Sequence, residues 1–546
     1  MDPKQMHNCI QKYKSLLFIW IVLHTLCACS SFHNDKKIFR LNQVQGVESL
    51  DPAFAKNLNI MWHVHTLYNR LIEYDENRQV RPSLAMSWEL SADRKTYTFH
   101  LRSDVYFHDN DAFPNGKGRR MIAKDVVYSF ARILDEKTAS PGAWIFHDRV
   151  DTIAPFIAID DSTFQLNMLR PFNPMLGILS MQYASIVPQE VVEKWGKDFR
   201  AHPCGTGAFM FQDWEEGVVI TYRKNEHYWE KDSAGNSLPY IDGIKATFID
   251  SKATEFLLFM QGDLDFMNGI DVSFKDQVLT KNGTLKPDFQ GKIALQKHAY
   301  LNVEYLGILQ IDSLNPQKTL LQKKIRQAIN YGFDRKKLVT YLRNNIGVAA
   351  NAGFIPIGLP GFDSSLVKGY TFQPEKARQL IDEVKKEFGQ IPTITLLSND
   401  NYSDRCNFIA SQLNALGLPI QVEIMQPSLL REQMSLSKAS FFWGTWIADY
   451  PDAESYLTMF YGKNTAPPNY TRFKNETYDR LYEQCLEEAD EQKKIALYQQ
   501  MDRIIIEEAP CVPLFYDEVM HFLNKRVRNF KTNSLNMIEL KSVQLK

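Results

Sequence analysis

Apolar positions recur along the chain with two alternating periods, which points to a mixed α/β fold. Ile38-Phe39-Arg40-Leu41 reads as an extended stretch, and Ser49-Leu50-Asp51-Pro52 breaks it because proline cannot continue a ladder. Residues 61–72 carry helical apolar spacing, and 97–102 alternate like a strand. Residues 124–134 predict an amphipathic helix with Val126, Val127, Phe130 and Ile133 on one side. Farther on, 218–223 predicts a strand, and 321–330 and 374–388 predict helices. Residues 393–397, 405–416 and 420–424 then run strand, helix, strand, the order of an α/β lobe with a partly parallel sheet. Residues 476–508 form a charged helical region interrupted near Asp490, and 510–515 return to extended structure. Pro and Gly are spread out, with no internal repeat or low-complexity linker, so the lobes should pack closely.

A length of 546 residues exceeds one compact domain and predicts three to four domain-sized units. With 44% apolar and 12% aromatic residues, large cores are within reach and no long stretch reads as disordered. The net charge of −1 comes from interspersed Lys, Arg, Asp and Glu, so no tract argues for nucleic acid.

The N-terminus changes this picture. Lys4, Lys12 and Lys14 precede a mostly apolar run over 16–26, the pattern of a secretory signal peptide over residues 1–28. The run is too short to span a bilayer comfortably, and no later segment is longer. Leu26-Cys27-Ala28-Cys29 resembles a bacterial lipobox, although Cys27 departs from the usual small residue. That resemblance implies cleavage before Cys29 and a diacylglycerol on its sulfur; the alternative is an ordinary signal peptide cut nearby. Two or three acyl chains would hold such a protein on a membrane. Apart from Cys9, Cys27 and Cys29, the chain has Cys204, Cys406, Cys485 and Cys511. These allow three disulfide connectivities or four buried free thiols, and they lack the CxxC spacing of a zinc or redox site.

Signatures of catalysis are missing: there is no GxSxG, HExxH or GxxxxGK[ST]. Gly205-Thr206-Gly207 reads as a tight turn needing positive φ. His63 and His65, two apart, do not share a helical face and read as core or surface side chains. His108-Asp109 is weak evidence for an acid–base pair. The distinctive constellation is Phe441-Phe442-Trp443-Gly444-Thr445-Trp446-Ile447-Ala448-Asp449-Tyr450-Pro451-Asp452, an acidic residue set among aromatics at the end of a strand. Helix capping is the favoured reading for Asp452. For Asp449 two readings stand level: a cap, or a carboxylate held in an apolar cleft for a ligand cation.

At these residues the chain resembles the family 5 extracellular solute-binding proteins of ABC importers, the oligopeptide- and dipeptide-binding group. The resemblance covers essentially the whole mature chain. It is carried by Ser49-Leu50-Asp51-Pro52, Leu67-Tyr68, Ser87-Trp88, Phe107-His108-Asp109, Tyr128-Ser129-Phe130 and Gly205-Thr206-Gly207. Tyr228-Trp229, Arg326-Gln327-Ala328-Ile329-Asn330 and Ala448-Asp449-Tyr450-Pro451-Asp452 complete it. It implies a two-lobed periplasmic-binding-protein fold of α/β lobes joined by paired crossovers and closing on a ligand. Lobe I would take 29–74, 201–292 and 508–546, an inserted subdomain 75–200, and the other lobe 293–507. It further implies that Asp449 binds a peptide α-ammonium and that Lys56, Asn57, Leu58 and Trp144 line the cleft. Trp443 or Trp446 would supply an apolar wall and a cation–π contact. The protein so implied is a monomeric receptor, without cofactor or metal and not an enzyme, that hands short peptides to a membrane permease and its ATPase subunits. The rivals are a receptor of the same family for a nickel chelate, haem or sugar, and a periplasmic peptidase or chaperone. Two departures stand out: a long, basic-tipped loop over 110–120, and no basic residue that matches the carboxylate-binding positions.

Overall fold

A computed structural model describes residues 37–546, so the predicted signal peptide, Cys9, Cys27 and Cys29 lie outside the described residues. One mixed sheet of eleven strands runs through both lobes. In the C-terminal lobe its order is Ile420–Ile424, Ile394–Ser398, Phe441–Ile447 and Ile293–Ile308. It continues through Cys511–Asn524 into Phe266–Asn268, Ile38–Asn42, Gly243–Thr247, Val219–Lys224 and Phe209–Glu215 of the N-terminal lobe. Val348–Ala349 pairs off this path with Cys511–Asn524.

Two strands, of 16 and 14 residues, carry the chain between lobes. Ile293 to Ala299 pair with Asn524 to Glu518 on the N-terminal side, and Val303 to Gly307 with Tyr516 to Cys511 on the C-terminal side. The register shifts between Ala299 and Val303, a bulge that bends the ladder where the lobes meet. From Leu301 to Ile308 every side chain is buried, as a strand covered on both faces requires.

The predicted strand–helix–strand unit forms as Ile394–Ser398, Ser403–Ala415 and Ile420–Ile424, with the two strands parallel. The inserted subdomain is a separate four-stranded antiparallel sheet in the order Ala85–Leu90, Thr96–Leu101, Thr163–Asn167, Phe156–Ala158. Helix Ala123–Leu134 covers it, with Phe130 packed 5.0–5.6 Å from Phe146, Phe156 and Phe164. A largely buried ion pair, Arg132 to Asp51 at 2.5 Å, ties this helix to the N-terminal lobe.

Several expectations shift. The helix expected over 61–72 runs Leu58–Leu67, because Asn57 caps it by accepting from the Ile60 N–H at 3.1 Å, and Ile72 turns into a hairpin strand. The extended stretch at 510–515 continues to Asn524, with Pro513 tolerated at a register shift. Cys204, Cys406, Cys485 and Cys511 are buried free thiols. The two glycines of Gly205-Thr206-Gly207 do not have positive φ. Backbone contact explains them instead: a Cβ at Gly205 would lie 2.2 Å from the Leu67 carbonyl oxygen, and one at Gly207 2.4 Å from its carbon. Gly207→Ala should therefore cost about 1–3 kcal/mol of stability in urea unfolding, the usual range for overpacking; an unchanged midpoint would mean that the Leu67 turn retreats freely.

Candidate ligand-binding site

The strand Phe441–Ile447 runs antiparallel to Asn302–Ile308 and delivers Asp449 beside the bulge of the crossover, where Ala448 N–H donates to Leu301 at 2.9 Å. A tight turn then fixes the residue. Ser455 Oγ accepts from Asp449 N–H at 2.9 Å, and the Ser455 carbonyl accepts from Trp446 Nε1 at 2.6 Å. Asp452 serves the turn, accepting from Glu454 N–H at 2.8 Å and Tyr498 Oη at 2.7 Å. Across the cleft, Gly177 of the inserted subdomain lies against Tyr450, where a Cβ would come within 2.7 Å of the ring. Asn173 Nδ2 reaches the Cys485 and Glu488 carbonyls at 2.9 and 2.7 Å, so the inserted subdomain touches the C-terminal lobe.

The Asp449 carboxylate has no hydrogen bond or ion pair among the described residues and lines a cavity of about 260 Å³ between the lobes. Burial pushes its pKa up to about 7; the Glu454 carboxylate adds to the rise and Arg149 opposes it. Glu454 is 2% exposed, accepts from the Tyr450 and Tyr482 hydroxyls, and is itself raised by burial.

The N-terminal lobe closes the cavity with a charge cluster. Lys541 Nζ lies 2.6 Å from Glu230, 3.5 Å from Glu539 and 3.7 Å from Glu73. Arg81 reaches Glu73 at 2.8 Å, and His65 Nε2 lies 3.6 Å from Glu539. Burial alone would raise Glu539, but Lys541 and His65 hold it well below the usual carboxylate range. Nothing local in the sequence pairs Arg70 and Glu73 with Glu539 and Lys541. They meet because the hairpin Lys531–Thr532 with Ile538–Glu539 folds back on helix Leu58–Leu67.

Of the seven ligand-contacting residues predicted from sequence, only Asp449 reaches this cavity; Lys56 is exposed and pairs with Glu48 at 2.8 Å. Trp443 lies on the opposite face of its strand, 2% exposed. Its Nε1 donates to Glu304 Oε2 at 2.6 Å, and its ring stacks on Tyr402 at 4.8 Å, so it belongs to the lobe's core and not to a cleft wall. Trp446 is half-buried above Ser455. Trp144 is exposed under the Arg149 guanidinium, 5.3 Å above its ring. Asn57 is a helix cap, and Leu58 lines a second interlobe chamber of about 390 Å³ with Tyr300, Arg343, Arg405 and Asn536. His63 is a core residue, donating to Gln43 Oε1 at 2.7 Å and accepting from Tyr222 Oη at 2.6 Å. His108 bonds the Gly207 carbonyl while Asp109 pairs with Lys117, so they do not form an acid–base pair. The loop over 110–120 folds onto its own subdomain through Arg119, which forks between Asp125 and Glu190, both at 2.6 Å.

A family model, bacterial extracellular solute-binding proteins, family 5 Middle, matches residues 79–468. The chain belongs to this family. It is 25% identical over 531 residues to the dipeptide-binding protein DppE of Bacillus subtilis, covering 93% of this chain and 91% of the relative. It is 26% identical over 490 residues to the heme-binding protein A of Haemophilus influenzae, covering 85% and 84%. A periplasmic binding protein DppA from Helicobacter pylori, solved with the peptide STSA, superposes with a TM-score of 0.77 at 22% identity. That match covers 93% of this chain and 98% of that one, which shows the shared two-lobed fold. Among the described residues of this family member, no helix is long and apolar enough to cross a membrane.

A raised carboxylate also sets a stability trend. The folded state binds the Asp449 proton more tightly than the unfolded chain, so this group favours folding at low pH. That contribution is lost as pH rises from about 4 through about 7. Asp449→Asn should therefore raise the melting temperature of the ligand-free protein at pH 8 and leave it nearly unchanged at pH 4.5, read by calorimetry at both values.

Proposed function

We propose that this protein is the substrate-binding lipoprotein of an ABC importer and that it captures short peptides between its lobes. The observation that carries the reading is the Asp449 carboxylate, fixed by Ser455, facing an interlobe cavity and left without a partner. A desolvated carboxylate in that position is stabilised by a cation, and a peptide α-ammonium supplies one at the end of an extended backbone. The relatives support peptides as the cargo: one is named for dipeptides and a structural neighbour holds a tetrapeptide. The Haemophilus relative is named for haem, but a cavity of about 260 Å³ falls below the ~300–1,000 Å³ typical of drug-sized ligands and is too small for a porphyrin.

Capture follows from the geometry. Asp449 comes from the C-terminal lobe and the opposing walls from the N-terminal lobe and the inserted subdomain, so a ligand touches all three only when the cleft is shut. It therefore biases an open–closed equilibrium by its differential affinity. The Asn173 and Gly177–Tyr450 contacts form in the same closed arrangement. The shut form would dock on a permease whose energy comes from ATP hydrolysed by another polypeptide. Cys29 would hold the receptor at the membrane face. The role is binding and delivery, not catalysis.

Titration calorimetry tests this directly. A free dipeptide should bind, and its N-acetylated form should bind far more weakly. Asp449→Asn should cost the free dipeptide about 2–5 kcal/mol, as for removal of one partner of a buried charge pair. Equal affinity for free and acetylated peptides would remove Asp449 from this role. Affinity should also depend on pH. Pairing with an ammonium lowers the carboxylate pKa from about 7, so binding peaks between about pH 7 and 8, weakens by about tenfold per unit below pH 7, and falls again above about pH 8 as the peptide ammonium itself deprotonates. A flat profile between pH 5 and 8 would contradict the assignment.

A further inference from the structure

Helix Glu476–Glu487 of the C-terminal lobe ends against the inserted subdomain. The Glu488 N–H donates to the Gln484 carbonyl and closes the last helical bond, so the carbonyls of Cys485 to Glu488 need donors from elsewhere. All four receive one from two residues of the inserted subdomain. Asn173 Nδ2 donates to Cys485 at 2.9 Å and to Glu488 at 2.7 Å, Asn173 N–H to Leu486 at 2.9 Å, and Arg94 Nη1 to Glu487 at 2.7 Å. Arg94 Nη2 also donates to Asn173 Oδ1, so the two residues act as one unit.

The helix does not complete this end itself. Its last turn holds no basic residue, and Glu487 and Glu488 stand where the helix dipole favours a cation. Arg94 brings that cation from across the cleft. It projects from the turn between Ala85–Leu90 and Thr96–Leu101, and its φ of 59° lies in the left-handed region that a non-glycine residue seldom adopts. Asp93 holds the turn, accepting from Ser91 Oγ at 2.6 Å and Lys95 N–H at 3.2 Å. The same elements lead towards the ligand site. Four residues past Asn173, Gly177 meets Tyr450, the neighbour of Asp449, and the capped helix carries Tyr482, whose hydroxyl donates to Glu454. Yet neither Arg94 nor Asn173 lines the Asp449 cavity.

We propose that Arg94 and Asn173 are a latch that sets how tightly the protein holds any ligand without touching it. In the shut form they complete the helix end. When the cleft opens, water replaces four donors at once and Arg94 leaves the negative end of the helix. Exchange with water leaves each such bond a modest net gain, larger where the donor is charged, so together they favour the shut form. Only the shut form encloses a ligand, and the apparent affinity is the intrinsic one scaled by the fraction of protein in that form. The latch therefore acts alike on every ligand, whatever its side chains. This rests on the reading of the interlobe cavity as the peptide site and adds residues that govern closure, not recognition.

The test uses the purified mature protein and two dipeptides with unlike side chains, Ala-Leu and Phe-Gly, followed by titration calorimetry and stopped flow. Asn173→Ala should weaken both by the same factor, on the order of tenfold, through faster dissociation at an unchanged association rate. Asn173→Asp sets a carboxylate against the helix carbonyls and should weaken both further. Arg94→Met keeps the aliphatic stem, removes the donors, and should cost both dipeptides about threefold to tenfold. Melting temperatures within a few degrees of the parent protein separate these effects from a folding defect. Unchanged affinities, or a loss confined to one dipeptide, overturn the latch while the ammonium role of Asp449 stands. If neither dipeptide binds the parent protein, the peptide reading falls and hydrogen exchange decides the latch alone. The Asn173 N–H of the ligand-free protein should then exchange several-fold faster in Arg94→Met, and an equal rate overturns the proposal.

Discussion

A carboxylate that its own protein declines to pair governs the arrangement of this molecule. Asp449 has its backbone fixed by Ser455 and a near neighbour in Glu454 that makes ionisation harder; Arg149 acts on it through space, but no cation or donor contacts its carboxylate among the described residues. Several other acids of the interior meet cations. Asp265 receives both Arg40 and Arg526, Asp51 receives Arg132, and Glu73 and Glu539 share Lys541. Glu304, Glu454 and Asp502 take neutral donors instead, whereas the Asp449 carboxylate has a donor of neither kind among the described residues. An internal partner there would compete with any incoming cation, and closure would gain nothing from the ligand.

That exception requires a frame able to hold two lobes in register while letting them part. The two crossover strands provide it. Their pairing is continuous enough to make one sheet of eleven strands, and the shift between Ala299 and Val303 concentrates irregularity in a few residues. Asp449 is attached to this point by the Ala448–Leu301 hydrogen bond, so its carboxylate sits beside the crossover that joins the lobes. The charge cluster around Lys541 belongs to the N-terminal lobe and stays rigid through its own pairings. The cavity thus has one wall whose acids Glu73 and Glu539 are paired and another carrying the unpaired Asp449.

Local rules account for most elements that the sequence made legible. Helix Pro374–Phe388 and strand Ile420–Ile424 follow directly from apolar period and end signals, because each buries one simple face. Asp449 stood out because aromatics surround it at a strand end, though spacing alone left it level with a cap. Trp443 and Trp446 looked equivalent in that run, but they alternate across the strand. One enters the core against Tyr402 and Glu304, and the other packs over Ser455. The ion cluster of Glu73 with Lys541 carried no signal at all. The two are 468 positions apart (541 against 73) and meet only because the last residues of the chain close the N-terminal lobe. The glycines at 205 and 207 were legible as special but not for the right reason, since close approach to Leu67 leaves no local signature distinct from a turn.

Three carboxylates, the half-buried Asp449 and the buried Glu304 and Asp502, have pKa values pushed up to about 7, and their surroundings separate two uses of the same physics. Glu304 accepts from Trp443 and Asp502 from the Phe354 N–H, so each has a fixed internal donor and its proton balance is a matter of core stability. Asp449 has the same desolvation without the donor. Protonation neutralises it as a partner would, so under the proposed function a proton and a ligand cation would compete for one site near neutral pH. In the function proposed above, occupancy would then follow the acidity of the surrounding medium.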